Sequence, residues 1–141
     1  MMLRRRKSKN KSNLKKLQNK AEDLWKEYCH RRDGSKCMVK HHFPGIQIEH
    51  TDVIQVDHCF TRTNKHLFTD IRNGTCVCSA CNMAKAFGQK SIGRAIDDIV
   101  KLREGLSAWE EMLAIDRAKM SSDKWKLIPA VEDIIKKLEA L

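Results

Sequence analysis

The sequence predicts an α+β fold, with a small strand-bearing centre and a Cys-x-x-Cys knuckle between an N-terminal helix and a set of C-terminal helices. Three observations predict it. Apolar residues recur at helical spacing before residue 33 and again after residue 90, short β-branched runs occupy the middle, and Cys78 and Cys81 stand with two residues between them further along. The corresponding divisions are a flexible basic arm over 1–12, a core with its leading helix over 13–90, and a helical extension over 91–141.

From residue 13 to 32, Leu14, Leu17, Ala21, Leu24 and Tyr28 recur at three- and four-residue steps, which predicts an amphipathic helix that Asp33-Gly34 ends. Residues 35–77 lose that period. Pro44 and Gly45 punctuate the segment, and the runs Ile46-Gln47-Ile48 and Val53-Ile54-Gln55-Val56 predict short strands of a hairpin-like region. Residues 79–87 suit a short helix closed by Gly88. A further helix opens at Ser91, buries Ile92, Ile96, Ile99 and Val100, and stops at Gly105. The next begins at Ser107, whose pairing with Glu110 makes a capping box, and buries Trp109 and Met112. The last starts near Pro129 and carries Val131, Ile134, Ile135 and Leu138 on one face. The Trp and Met residues on these faces read as core.

The 141 residues carry a formal charge of +10, and residues 1–20 hold nine Lys or Arg and no acid, which leaves the rest close to neutral. A cationic arm on a neutral body points to a polyanion, with Arg4, Arg5, Arg6 and Lys7 as the first DNA-binding candidates. Phosphate neutralisation releases counterions and so drives such association. A solvated tail is the alternative reading. No apolar stretch follows the arm as in a secretory leader, and no segment approaches the roughly 20 apolar residues of a membrane span. The expectation is a cytoplasmic protein with no membrane partner. Six cysteines in a reducing compartment serve metal ligation or burial better than disulfides.

A Cys-x-x-Cys knuckle offers two thiolates for one edge of a tetrahedral zinc. Cys78 and Cys81 therefore give half of a structural Zn2+ site, and the other half is sought in the cluster Cys29, Cys37, His41, His42. Cys37 is the first choice. Its partner is His41, four residues on, or Cys29 back on the helix.

The ordered set Asp57-His58, Asn73, Cys78-x-x-Cys81-Asn82 and Lys85 is similar to the motif of HNH nucleases. The resemblance implies a ββα-metal core, His58 as general base, and Asp57 and Asn82 as ligands of a catalytic Mg2+ or Mn2+. Asn73 would orient the loop carrying His58. Phosphodiester hydrolysis needs a base for water and a cation for developing charge, and an imidazole that titrates near neutrality suits the first role. The wider set Trp25, Tyr28, Arg32-Asp33, Arg62, Phe68, Asp70, Arg72-Asn73 and the knuckle resembles the phage recombination protein family NinG, also called Rap, from about residue 22 onward. That resemblance implies a nuclease acting on branched DNA, in the cytoplasm of a bacterial host, with a homodimer or a recombination protein as further partner. The chain departs from the family's pattern in lacking an intact upstream Cys-x-x-Cys and in placing Cys59 directly after His58. Arg62, Lys65, Arg72 and Lys85 are further candidates for phosphate contacts, and His66 reads as a surface imidazole. Two other readings stand beside the nuclease: a non-catalytic zinc-stabilised DNA-binding module, which has no need of Asp57, His58 and Asn82 together, and an interaction adaptor docking through the C-terminal helices.

Overall fold

The computed structural model describes residues 2–60, 63–118 and 123–141, with side chains at 11–60, 63–118 and 125–141. The fold is α+β. Helix α1 (Met2–Asp33) leads to a short α2 (Met38–His42), a two-stranded antiparallel sheet of β1 (Ile54–His58) and β2 (Gly74–Cys78), and then α3 (Ser79–Ala86), α4 (Lys90–Glu104), α5 (Leu106–Arg117) and α6 (Ile128–Glu139). Pairing runs from Ile54 opposite Cys78 to His58 opposite Gly74. Among the described residues no helix is long and apolar enough to cross a membrane.

Helix α1 exceeds the span its apolar period predicts. The basic segment expected as a flexible arm forms its first turns from Met2, in keeping with a run of Arg, Lys and Leu that contains neither Gly nor Pro. The strand expected at 46–48 is absent: Ile46 and Ile48 instead turn their branched side chains into the cluster around Cys37, Val77 and Ile96. Burial, which strands and anchored loops share, is what the run encodes. The capping box at Ser107 also does not form. Leu106 is already helical after Gly105, whose φ of +90° breaks α4 from α5, and the cap makes no side-chain bond. Pro129 does sit in the first turn of α6.

The sheet is sandwiched. All five residues of β2 are buried, between α1 on one side and the α2–α4 layer on the other. The C-terminal end of α1 is stitched to the start of β2. Arg32 grips Asp33 through two nitrogens at 2.9 and 3.1 Å and donates to the carbonyls of Ile71 at 2.6 Å and Gly74 at 2.5 Å. Asp33 in turn accepts from the Cys76 amide at 3.0 Å. Buried backbone groups at the head of β2 are thereby satisfied. Burial would raise the Asp33 carboxyl, but Arg32 and the Cys76 amide outweigh it and hold it below the ordinary carboxylate value.

Gly74 is required here for lack of a side chain rather than for its backbone angles. A Cβ built on it would lie 2.5 Å from Cys29 Sγ and 2.6 Å from the Trp25 ring. Gly74→Ala is therefore expected to destabilise the fold by about 1–3 kcal/mol or more through overpacking, read as a fall in Tm, and to push Trp25 off the histidine it covers.

Candidate functional site

The loop between α2 and β1, the end of β2 and the first turn of α3 bring Cys37, His50, Cys78 and Cys81 together, with all four donor atoms within 4.8 Å of one another. Cys37 Sγ lies 3.8 Å from Cys81 Sγ. His50 Nδ1 lies 3.7, 3.4 and 3.5 Å from the sulfurs of Cys37, Cys78 and Cys81. A tetrahedral zinc with Zn–S near 2.3 Å and Zn–N near 2.0–2.1 Å requires S···S edges of about 3.8 Å and S···N edges of about 3.5 Å. The donor set fits zinc in number, type and spacing, with all four positions protein-filled, as in a structural site.

Local structure explains the tetrad. Cys78 caps α3 and accepts the Cys81 amide at 3.4 Å, which places the knuckle at a helix start, where amides favour a thiolate. Burial would raise the Cys78 thiol, but the backbone of Thr51 and Cys81 and the side chain of His50 outweigh it and bring it down to about 6. Cys81 moves the other way, raised by burial and by the sulfurs of Cys78 and Cys37. Three sulfurs this close tolerate full ionisation only with a cation among them.

One expected ligand is replaced: neither His41 nor its alternative Cys29 belongs to the tetrad. His41 sits exposed on α2, edge-on to His42 at 5.0 Å between ring centroids; Cys37 is the extended N-cap residue before α2, so its side chain does not share the helical row on which His41 stands. Cys29 is fully buried with Trp25, Cys76 and Leu138, and burial raises its thiol to about 11. His50 completes the tetrad. Its only signal in the sequence is its position shortly before β1, opposite the knuckle. His50→Ala should reduce zinc affinity by more than the roughly 10- to 100-fold typical for loss of a ligand's hydrogen-bonding partner, while His41→Ala should leave it unchanged, both read by chelator competition.

Asp57 and His58 are adjacent on β1 and so leave opposite faces of the strand. Asp57 turns toward α3, where Lys85 Nζ meets its Oδ2 at 2.6 Å and also donates to the His58 carbonyl at 2.8 Å. Burial raises the Asp57 carboxyl, the Lys85 charge pulls it down, and Asp97 adds to the rise. Asn82, one turn before Lys85, donates to Gln55 Oε1 at 2.8 Å.

His58 turns toward α1. Its ring is held between Trp25, stacked at 4.2 Å and 16°, and Phe68, stacked at 4.8 Å and 14°. His58 Nε2 lies 2.9 Å from the Phe68 carbonyl. A carbonyl only accepts, so Nε2 carries the hydrogen, and Nδ1 is the nitrogen able to take a proton. His58 and Asn82 line a cavity of about 380 Å³, together with Gln55 from β1 and Glu22, Lys26 and His30 from α1.

Asn73 is fully buried and ties down the segment after His58. Its Oδ1 accepts the Phe60 amide at 2.7 Å, and its Nδ2 donates to the carbonyls of Phe60 at 3.3 Å and Leu67 at 2.9 Å. The other candidates are mostly engaged elsewhere. Arg72 is bound to Asp70 at 2.7 Å and Glu111 at 3.2 Å rather than presented to a phosphate, and the Asp70 carboxylate raises its pKa further. Lys65 lies over the Phe68 ring at 4.0 Å, and Arg62 falls outside the described residues. Arg4, Arg5, Arg6 and Lys7 belong to α1, with their side chains outside those described. Cys59 donates to Asp97 Oδ1 at 3.1 Å, and Cys76 is buried in the α1–sheet cluster, so both have structural surroundings.

The catalytic divalent ion fares differently from zinc. A hard cation of the Mg2+ kind needs near-octahedral oxygen ligands, whereas Asp57 already holds an ammonium and Asn82 presents its amide nitrogen to Gln55. As arranged, these two residues do not form a magnesium site. No family model, no curated protein and no solved structure matches the chain.

Proposed function

We propose that the chain is a zinc-stabilised DNA endonuclease of the HNH type, with His58 as its general base. The observation that carries this reading is the state of His58: one nitrogen hydrogen-bonded to the Phe68 carbonyl, both ring faces stacked, and the ring at the wall of a polar cavity. A base held in one orientation and one tautomer is what abstraction of a proton from water requires, and positioned proton transfer is worth about 10²–10⁴ in rate. The order β1, β2, α3, with the tetrad joining the end of the sheet to α3, supports a ββα-metal core. In this reading Asn73 is a positioning residue acting through the loop at Phe60 and Leu67, and Asn82 faces substrate in the His58 cavity.

A preference for branched recombination intermediates belongs to the same proposal through the motif's resemblance, which also implies Mg2+ or Mn2+; in this reading a cation would reach Asp57 and Asn82 only when their contacts with Lys85 and Gln55 open. The test is a cleavage panel. Purified, zinc-loaded protein with added Mg2+ or Mn2+ is expected to nick or cut junction, flap or D-loop DNA in preference to linear duplex. A second reading, a non-catalytic zinc-stabilised DNA-binding module, is favoured by the Asp57–Lys85 ion pair, which occupies the carboxylate that a catalytic cation would use. Retained DNA binding with no cleavage of any substrate under either metal would select it.

A further inference from the structure

Three residues of α1 face the His58 cavity: Glu22, Lys26 and His30. They stand at four-residue steps, one side of a continuous helix. Lys15 and Lys11 precede Glu22 by seven and eleven residues, about two and three turns, so they leave α1 on the side that borders the cavity. Both are exposed, as is Lys26. Other sides of α1 carry different chemistry: Lys20 and Arg31 leave the helix about 120° and about 140° round from the middle of the cavity-side row, and Lys20 pairs with Glu139 of α6 at 3.3 Å. Glu22 is the one acid in the cavity-side row, and its carboxylate lies 3.3 Å from Lys26 Nζ. That pair is locally neutral, which leaves Lys15 and Lys11 as the net positive charge on the approach.

We propose that the cavity-facing side of α1 is a rigid seat for one DNA backbone, with Lys15 and Lys11 holding phosphates on one flank of the bond presented to His58. The helix fixes the reach. Lys11 lies about 16 Å along the axis from Glu22 at 1.5 Å per residue, or about five steps of duplex at 3.4 Å per phosphate on one strand. Contact therefore extends about five base pairs to one side of the cavity. This differs from a loose cationic tail, for which only the total charge matters and no side of the chain is privileged.

The inference rests on the proposed function only in taking DNA as the ligand, and it is read without any cleavage. The salt dependence of DNA binding is measured by fluorescence anisotropy on a duplex for the full-length zinc-loaded protein, for Lys11→Gln/Lys15→Gln and for Lys20→Gln/Arg31→Gln. The two variants lose equal charge from the same helix, and circular dichroism checks that both remain folded. The cavity-side pair should lower the slope of log K against log salt by about 1.8, as expected for two phosphates on B-DNA, and the other pair should leave it unchanged. Equal losses in the two variants, no loss in the cavity-side pair, or no DNA binding by the parent protein would overturn the seat. A lost slope together with a parent protein that never cuts would retain the seat and reject the nuclease.

Discussion

Cys78→Ser is expected to remove the zinc and, with it, the folded state at room temperature. Parent protein should carry one zinc per chain by elemental analysis, and the variant essentially none. The size of the effect follows from what the tetrad joins. Cys37 lies at the start of α2, His50 in the loop before β1, and Cys78 and Cys81 at the junction of β2 with α3, so one ion ties three segments far apart in the chain. Structural zinc contributes on the order of 10 kcal/mol in small domains, comparable with the whole stability of about 5–15 kcal/mol of a domain. Serine is close in shape but a poor ligand for zinc, so loss of metal, not loss of packing, dominates. Chelation of the parent protein should reproduce the unfolding and zinc should reverse it. A Cys78→Ser protein that melts like the parent would show the tetrad to be a cluster of buried thiols.

The second large effect is catalytic. His58→Ala should reduce DNA cleavage by about 10²–10⁴, the range for loss of a positioned base, while DNA affinity changes little. The variant also empties a slot between Trp25 and Phe68, and removing a buried aromatic-sized side chain costs about 3–5 kcal/mol at the upper end. His58→Gln therefore serves as the companion: its amide nitrogen can still donate to the Phe68 carbonyl and it fills much of the space, but it takes no proton. Cleavage lost in both variants with the fold retained in the glutamine form marks the base. Activity kept in His58→Gln would assign His58 to packing alone.

The helices were the most legible part of the chain. Ile92, Ile96, Ile99 and Val100 on α4, and Val131, Ile135 and Leu138 on α6, are buried where their spacing places them, because a helix in a small domain must hide one stripe. The knuckle of Cys78 and Cys81 was equally plain, since a two-residue gap at a helix start is a local geometry. His50 was not. It reaches the tetrad across 28 and 31 residues of sequence, through a loop whose path is set by where Ile46 and Ile48 bury, and spacing alone does not encode that path. The side chains of Asp57 and His58 were legible as a pair but not in their divergence. Strand geometry sends neighbours to opposite faces, and which face meets α3 depends on the register with β2. Lys85 on Asp57 and Trp25 on His58 are products of that register, and neither partner is local in sequence.

The spread of the four zinc ligands along the chain also bears on synthesis. Cys37 and His50 emerge from the ribosome 13 residues apart, yet Cys81 follows Cys37 only after 44 residues, and the two early donors by themselves make an incomplete, weakly holding pair. The nascent chain thus leaves the start of α2 and the loop before β1 without their tie to the knuckle until residue 81 has been translated. Closing this loop comes late in synthesis, although its entropic cost grows only slowly with length. A metal held by all four donors is therefore expected to be captured only after residue 81 has emerged.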